Sequence, residues 1–384
     1  MHVLVLSPWY PNPDYPLEGN FIQRQALGIK RAGLEVRVFH PMVDYAQWPA
    51  RWWATMRSFP DEKADGLEVF QLQSPFPPRR TKWLLKAWAN FCAHFFRTYI
   101  RRNGLPDLIH AHTLMGGLIA LAIYRKWKIP YLISLHESSI LQGELPSFRL
   151  DSYRSALLGA EKVLAVSSAL AVKANQKFDG ADVELLPNFI DTGLYRPSGS
   201  LKAAGPFRMV AIGDLIPIKQ FEGLIEAFAL LPGPPEWSCT LDIAGAGPQE
   251  EELRRVIRQR KLEDRVTLRG MLSQEKVLAL LRSAHLLVLS SRAETFGIVL
   301  VEAMACGLPV VATDCGGPAD IVTPETGILV PPNDPAALAA AIRHIVETYD
   351  RYDPQRIRQH VLANFSEEVV IPKLIRRYEQ ALAR

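Results

Sequence analysis

Glu294-Thr-Phe-Gly-Ile-Val-Leu-Val-Glu302 follows the apolar run His285-Leu-Leu-Val-Leu-Ser-Ser-Arg292 and continues into Ala303-Met-Ala-Cys-Gly-Leu-Pro309. The first run reads as a buried strand, and the last as the rest of a short helix closed by Gly and Pro. The order is therefore strand, loop with an acid, helix with an acid. The spacing places the helix start near Phe296. Amides at a helix N-terminus are unpaired and the macrodipole there is positive. Such an end seats an anion, for example a diphosphate. Glu294 precedes that seat, and Glu302 falls about two turns inside the helix. Carboxylates on either side of a phosphate seat suit hydroxyl-rich groups, a sugar on one side and a ribose on the other. Two acids at this spacing also occur on any solvated helix, so the flanking sequence has to decide.

At 384 residues the chain is long for one domain and comfortable for two. Its composition is ordinary for a globular protein, 48% hydrophobic and 22% charged. A net charge of +4 is too weak to point to nucleic acid, but it suits an anionic substrate or an anionic membrane surface. The four cysteines, Cys92, Cys239, Cys306 and Cys315, form no Cys-x-x-Cys pair and do not cluster with histidine. This disfavours a disulfide framework or a zinc site, and no metal site is expected. Val3-Leu-Val-Leu6 is too short for a signal peptide, and no run approaches the ~18 apolar residues of a membrane span. The expectation is a cytoplasmic chain that can lie peripherally on the inner face of the cell membrane.

Upstream, His2-Val-Leu-Val-Leu-Ser7 reads as a buried parallel strand. Gly19-Asn20 then leads into a helix stopped at Gly33, and Glu35-Val-Arg-Val-Phe39 is the next strand. This is a βαβ opening without a Gly-x-Gly-x-x-Gly turn, which disfavours a nicotinamide-dependent oxidoreductase. Residues 41–80 read as irregular, with Trp48, Trp52 and Trp53 among prolines. Lys82 to Arg102 is a sustained amphipathic helix with Lys82, Lys86, Arg97, Arg101 and Arg102 on its polar side. It either packs on the first sheet or lies on an anionic membrane. Pro106-Asp-Leu-Ile-His-Ala-His112 and Ile129-Pro-Tyr-Leu-Ile-Ser-Leu-His136 both end in histidine. Asp107 to His110 reads as one strand end, and Thr113-Leu-Met-Gly-Gly117 as the start of a helix. Histidines at two strand ends stand where open α/β sheets bind ligands.

Pro, Ser, Gly and Ala dominate 197–206, the natural linker. Phe207-Arg-Met-Val-Ala-Ile-Gly213 opens a second sheet, and Lys219 follows at a helix start. An ammonium there can neutralise a diphosphate. Thr240-Leu-Asp-Ile-Ala-Gly-Ala-Gly-Pro248 is strand and glycine turn, followed by a helix over 249–261 and the strand Val266-Thr-Leu-Arg-Gly270. Asp334 caps a helix that Pro335 leads, and Ser366 to Arg384 is the last helix. Each half alternates strands with helices. The architecture read from this is α/β, with two Rossmann-like doubly wound parallel-sheet domains facing a central cleft, residues 1–196 plus 366–384 and residues 197–365.

Glu294-x7-Glu302 after an apolar strand, followed by Ala-Met-Ala-Cys-Gly-Leu-Pro-Val-Val-Ala-Thr and Gly316-Gly317, resembles the nucleotide-sugar site of family-four retaining glycosyltransferases of the GT-B fold. Asp214-Leu-Ile-Pro-Ile-Lys219 and Gly245-Ala-Gly-Pro248 are similar to further segments of that family, as are the two histidine strand ends. The resemblance implies sugar transfer from a nucleoside-diphosphate sugar, with UDP or GDP the expected base, to a hydroxyl acceptor in cell-surface polysaccharide or glycolipid assembly. The acceptor can be lipid-linked, no separate cofactor is needed, and nucleic acid is no partner. It implies that Lys219 and the backbone at Phe296, Gly297 and Ile298 hold the diphosphate, that Glu294 holds the sugar and that Glu302 holds the ribose. It further implies Gly19 near the phosphates, Gly270 near the base, and His112 or else His136 under the donor sugar. His112, Glu294 and Lys219 are thus the candidate catalytic residues. In this family the terminal helix crosses back to the first domain. Asp214 stands where the family carries arginine, Glu137 where glycine is commoner, and Phe189 in place of a glycine. Two other readings stay open: a GT-B sugar-nucleotide epimerase, which needs no acceptor, and an inactive nucleotide-sugar-binding scaffold, for which Asp214 is the main support.

Overall fold

The computed structural model describes residues 1–12, 18–43, 55–61, 66–74, 81–197, 205–234 and 236–383, without the side chains of 43 and 55–61. Trp48, Trp52 and Trp53 and most of the 197–206 linker lie outside the described residues. The chain forms two compact units, Met1–Asn188 with Val370–Arg384, and Phe189–Val369.

Unit 1 is built on strands β1 (His2–Leu6), β2 (Glu35–Val43), β3 (Thr55–Asp61), β4 (Leu67–Ser74), β5 (Leu108–His112), β6 (Tyr131–Leu135), β7 (Lys162–Ala165) and β8 (Val183–Leu185). They pair in the order β3-β4-β2-β1-β5-β6-β7-β8. All neighbours are parallel except the edge pair β3–β4. Every residue of β1, β5 and β6 is buried, as expected for strands covered on both faces. The helices are α1 (Asn20–Arg31), α2 (Lys82–Asn103), α3 (Thr113–Trp127), α4 (Ser138–Gln142), α5 (Ser147–Leu158) and α6 (Ser168–Lys177). Along α2, Leu85, Trp88, Cys92, Phe96 and Tyr99 are buried, so its apolar face belongs to the core of unit 1. Trp83 stays 67% exposed beside the lysines of that helix. Two readings of the sequence are corrected here. Within 41–80 the described residues are not irregular: β2 runs on to Val43, and β3 and β4 extend the sheet. The first histidine strand runs on to His112 rather than ending at His110.

Unit 2 holds β9 (Phe207–Ile212), β10 (Cys239–Ala244), β11 (Val266–Gly270), β12 (Leu286–Leu289), β13 (Val310–Thr313) and β14 (Gly327–Val330). Their order is β11-β10-β9-β12-β13-β14, parallel throughout. Renumbered within the unit this is 3-2-1-4-5-6, the dinucleotide-fold order, with its topological switch point between β9 and β12. The helices of this unit are α7 (Phe221–Ala229), α8 (Glu250–Gln259), α9 (Gln274–Ser283), α10 (Ile298–Ala305), α11 (Pro335–Glu347) and α12 (Pro354–Phe365). Phe221, Leu224 and Phe228 of α7 pack with Leu338 and Ile342 of α11 against β9 and β10. Burying one such side chain contributes about 1.5–3 kcal/mol. Asp334 accepts the Ala337 N–H at 2.9 Å with Pro335 in the first turn, the cap its sequence called for.

The last helix, α13 (Glu367–Leu382), carries Val370 onward into unit 1. The unit boundaries fall at 188/189 and 369/370, where the sequence reading had 196/197 and 365/366. Residues 189–196 go with unit 2 because their backbone is held there. Ile190 N–H donates to Phe365 O, and Arg358 donates to the carbonyls of Thr192 and Tyr195.

Candidate functional site

In unit 2 the loop after β9 is built on close backbone contact. Gly213 and Leu215 donate their N–H groups to Ala244 O and Ala246 O, and Gln249 N–H donates to Leu215 O. A Cβ at Gly245 would stand 1.9 Å from Gly213 O, and one at Gly247 would stand 2.5 Å from Leu215 O. The Gly-Ala-Gly turn is thus required for two loops to lie on each other. The first loop ends in a short 3-10 turn, Pro217–Lys219, before α7.

The loop after β12 is stitched to the same place. Ser290 Oγ donates to Lys219 O at 2.8 Å, and Arg292 N–H donates to Ile218 O at 2.7 Å. Across this seam Lys219 Nζ meets Glu294 Oε2 at 2.6 Å, with the side chains only 24% and 16% exposed. A cation and an acid from the two strands flanking the switch point therefore face each other where a dinucleotide fold seats its ligand. Glu294 is fixed by its own backbone as well: its N–H donates to Cys315 O and its O accepts from Gly317 N–H. A Cβ on Gly317 would come within 2.4 Å of the Phe296 backbone.

The helix expected from Phe296 begins two residues later. Gly297, at φ 99°, is the N-cap and α10 starts at Ile298. Glu302 then lies about one turn inside the helix rather than two, and it is 8% exposed. The cause is the left-handed conformation of Gly297, which lets the chain turn sharply from the Glu294–Gly316 bridge into the helix. No side chain caps this N-terminus. The Phe296 ring is buried against Phe365, so its backbone and not its ring is the part that can meet a ligand. Gly270 closes β11 on the edge strand, and its carbonyl accepts from Gly245 N–H. Asp214 is exposed. Arg292 is exposed too, on the loop bonded to the Lys219 turn, and was not singled out from the sequence because it belongs to no cation motif there.

In unit 1 the strand-end histidines form an ordered layer. His112 Nδ1 and His136 Nε2 are 3.0 Å apart with the rings stacked. His110 lies beside them, bonded through Nδ1 to the Tyr378 hydroxyl at 2.7 Å and through Nε2 to Ser134 Oγ at 2.8 Å. Burial lowers all three ring pKa values, His110 and His136 to about 3 and His112 well below the ordinary range. These rings are neutral hydrogen-bonding groups and not cations. Glu137 is a clamp: its carboxylate accepts the N–H groups of Leu114 and His136, which ties the loops after β5 and β6 together. Burial pushes its carboxyl above the usual carboxylate range.

Thr113, directly after His112, has φ 71°, a strained value for a β-branched residue. Nothing in its sequence signals this. Gly19 has φ 71°, and a Cβ there would stand 2.8 Å from Trp9 O, so the crossing of the chain suffices to require glycine. Among the described residues no group of three or more His, Cys, Asp or Glu is placed to hold a metal ion. Nor, among them, is any helix long and apolar enough to cross a membrane.

The comparisons with known proteins cover the same two units. The family described as Glycosyl transferases group 1 matches residues 197–360, and the Glycosyl transferase 4-like domain matches 19–188. TuaC of Bacillus subtilis (strain 168), whose name places it as a glycosyltransferase of teichuronic acid biosynthesis, is 26% identical over 96% of this chain and 94% of its own. The 2-deoxystreptamine N-acetyl-D-glucosaminyltransferase of Streptomyces fradiae is 29% identical over 98% of this chain and 93% of its own. Among solved structures, Anabaena HepE in complex with UDP superposes with a TM-score of 0.75 over 99% of this chain and all of that one, at 22% identity. The two Rossmann-like sheets, the cation–acid pair at the switch point and these matches over both units lead to one conclusion: the chain belongs to the group 1, family-four glycosyltransferases of the GT-B fold.

Proposed function

We propose that this glycosyltransferase uses a nucleoside-diphosphate sugar, with UDP or GDP as the nucleotide, and transfers the sugar to a hydroxyl with retention of anomeric configuration. The observation that carries the reading is the Lys219–Glu294 pair beside the uncapped N-terminus of α10. In the free protein the two charges satisfy each other. A bound donor exchanges them: Lys219 and the amides at Gly297 and Ile298 take the diphosphate, and Glu294 takes sugar hydroxyls. Glu302 serves the ribose, and the Gly270 backbone flanks the base. HepE, a protein of this fold, was solved with UDP, which supports the donor class.

In the reaction the bond between the anomeric carbon and the diphosphate oxygen breaks, and its electron pair leaves on the phosphate. The acceptor oxygen bonds the same face of that carbon, and its proton passes to the departing phosphate oxygen. No charged base is required. Neutral His112 orients the sugar by hydrogen bonding, and Lys219 stabilises the negative charge where it develops. TuaC is named for teichuronic acid biosynthesis, which supports an acceptor in cell-surface polysaccharide or glycolipid assembly.

The test is a thermal-shift panel of UDP-, GDP-, ADP- and TDP-sugars on the native protein, Lys219→Ala and Glu294→Ala. One base is expected to stabilise the native protein. Lys219→Ala is expected to weaken that nucleotide about 10–100-fold, the loss of a charge-assisted bond worth roughly 1.5–3 kcal/mol. Glu294→Ala is expected to keep binding of the bare nucleotide but to lose the extra shift given by the sugar. Equal shifts in all three proteins would remove the pair from the donor site.

A further inference from the structure

Helix α10 is only eight residues long, about 12 Å, so the groups at its far end act on an anion seated at its start. A helix carries partial positive charge at its N-terminus and partial negative charge at its C-terminus. In so short a helix the negative end opposes an anion at the other. The N-terminus of α10 has no side-chain cap and stays open to a ligand. The C-terminus is closed. A helix leaves its last four carbonyls without an internal partner. Here Glu302 O accepts from Cys306 N–H, Ala303 O from Leu308 N–H and Met304 O from Gly307 N–H. The fourth, Ala305 O, accepts from Arg358 Nη1 at 2.7 Å.

Helix α12 brings Arg358 to that place. A Cβ on Gly307, just past the end of α10, would stand 2.8 Å from the Cβ of Pro354, so the start of α12 lies directly against the end of α10. Arg358 follows Pro354 by one turn, on the same face of α12. Its guanidinium is half-buried and donates to three backbone carbonyls: Ala305 and Tyr195, each at 2.7 Å, and Thr192 at 2.9 Å. A neutral side chain could supply one such bond. Arginine adds a permanent positive charge at the negative end of the helix, and a planar fork that joins α10 to residues 192–195.

We propose that Arg358 is a positioning residue for the diphosphate: it cancels the negative end of α10, so that the amides at Gly297 and Ile298 act on an anion unopposed, and it ties that helix to residues 192–195. It stands at the end of α10 away from the anion and touches no substrate. The proposal rests on the donor reading above for the identity of the anion.

The experiment is calorimetric titration of the full chain with UDP, GDP and inorganic pyrophosphate at low ionic strength, on the native protein, Arg358→Gln and Arg358→Lys. Gln is neutral but keeps an N–H donor, whereas Lys keeps the charge and loses the fork. At about 12 Å and an effective dielectric of about 20, one unit charge acting on another is worth about tenfold in affinity, and salt screens part of it. Arg358→Gln is therefore expected to weaken pyrophosphate, and whichever nucleotide binds, by about threefold to tenfold. Arg358→Lys is expected to stay within about twofold of the native affinity even where its melting temperature falls. Native affinity in folded Arg358→Gln, or equal losses in the Gln and Lys variants, would overturn the proposal and leave Arg358 a purely structural brace. If Arg358→Gln does not fold, hydrogen exchange on the native protein decides. Saturating pyrophosphate is expected to slow the amides of 192–196 together with those of α10, and slowing in α10 alone would overturn the proposal. Pyrophosphate binding that depends on Arg358, with neither nucleotide bound, would sink the donor reading and leave this one standing. Binding of none of the three would remove both.

Discussion

Lys219 and Glu294 show what single residues reveal and what they hide. Their types and their places beside glycine turns were legible in the sequence, since an ammonium and a carboxylate near helix starts are what a diphosphate sugar needs. Their contact with each other was not, because it depends on two loops 75 residues apart being bonded through Arg292 and Ser290. The same seam bears on Asp214. The acid there is exposed and cannot neutralise a phosphate, whereas Arg292 is an exposed cation on the partner loop. Arg292→Ala is therefore expected to weaken binding of the bare nucleoside diphosphate about tenfold, roughly 1.4 kcal/mol for one charge-assisted contact, with little change in the melting temperature of the free protein. Calorimetric titration of native and variant protein decides it. An unchanged dissociation constant would mean that Lys219 and the α10 amides act alone.

At the scale of elements, buried strands with flanking breakers were readable, and so was the capped helix from Pro335, because burial on both faces and cap chemistry leave local traces. The misreadings have physical causes. In β4, Leu67, Val69, Phe70 and Leu72 are buried in a near-alternating pattern, but the surrounding prolines and tryptophans masked that period. The start of α10 was placed too early because a left-handed glycine cap, unlike Ser or Asp, has no hydrogen-bonding side chain to mark it. The layer of histidines could be suspected from two strand ends, but its anchor, Tyr378 on α13, lies 268 residues from His110. That anchor gives a prediction. Tyr378→Phe keeps the ring and removes the hydroxyl, leaving His110 Nδ1 buried and unpaired. The expected cost is about 1–3 kcal/mol, or roughly 2–12 °C in melting temperature. Retained stability in a thermal melt would show that α13 is held by apolar packing and the Arg377–Glu184 ion pair instead.

At the scale of the whole chain, the two sheets were legible as a repeated alternation of strand and helix, but the uneven placing of buried histidine was not. His40, His110, His112 and His136 all stand in unit 1, and burial depresses each ring's pKa, to about 4 for His40, about 3 for His110 and His136, and well below the ordinary value for His112. The unfolded chain binds protons at these four rings near pH 6.5 while the folded chain does not. Between those limits the unfolded state carries more protons, so stability rises with pH. It is fully present above about pH 6.5 and is lost as pH falls toward the folded values, by up to about 1.4 kcal/mol per pH unit for each ring. Glu137 and Glu18 oppose this, since carboxyls raised by burial favour the folded state at lower pH, but they are two groups against these four rings and His2, whose pKa burial also lowers. Differential scanning calorimetry from pH 7.5 to 5 is expected to show the transition of unit 1 moving steadily downward, with the steepest fall below pH 6. Binding of nucleoside diphosphate to unit 2 is expected to persist at pH values where unit 1 has already weakened, because none of the four rings belongs to the donor half. A melting temperature level from pH 7.5 to 5 would mean that the rings gain protons in place, and would remove the neutral His112 on which the charge-free positioning role depends.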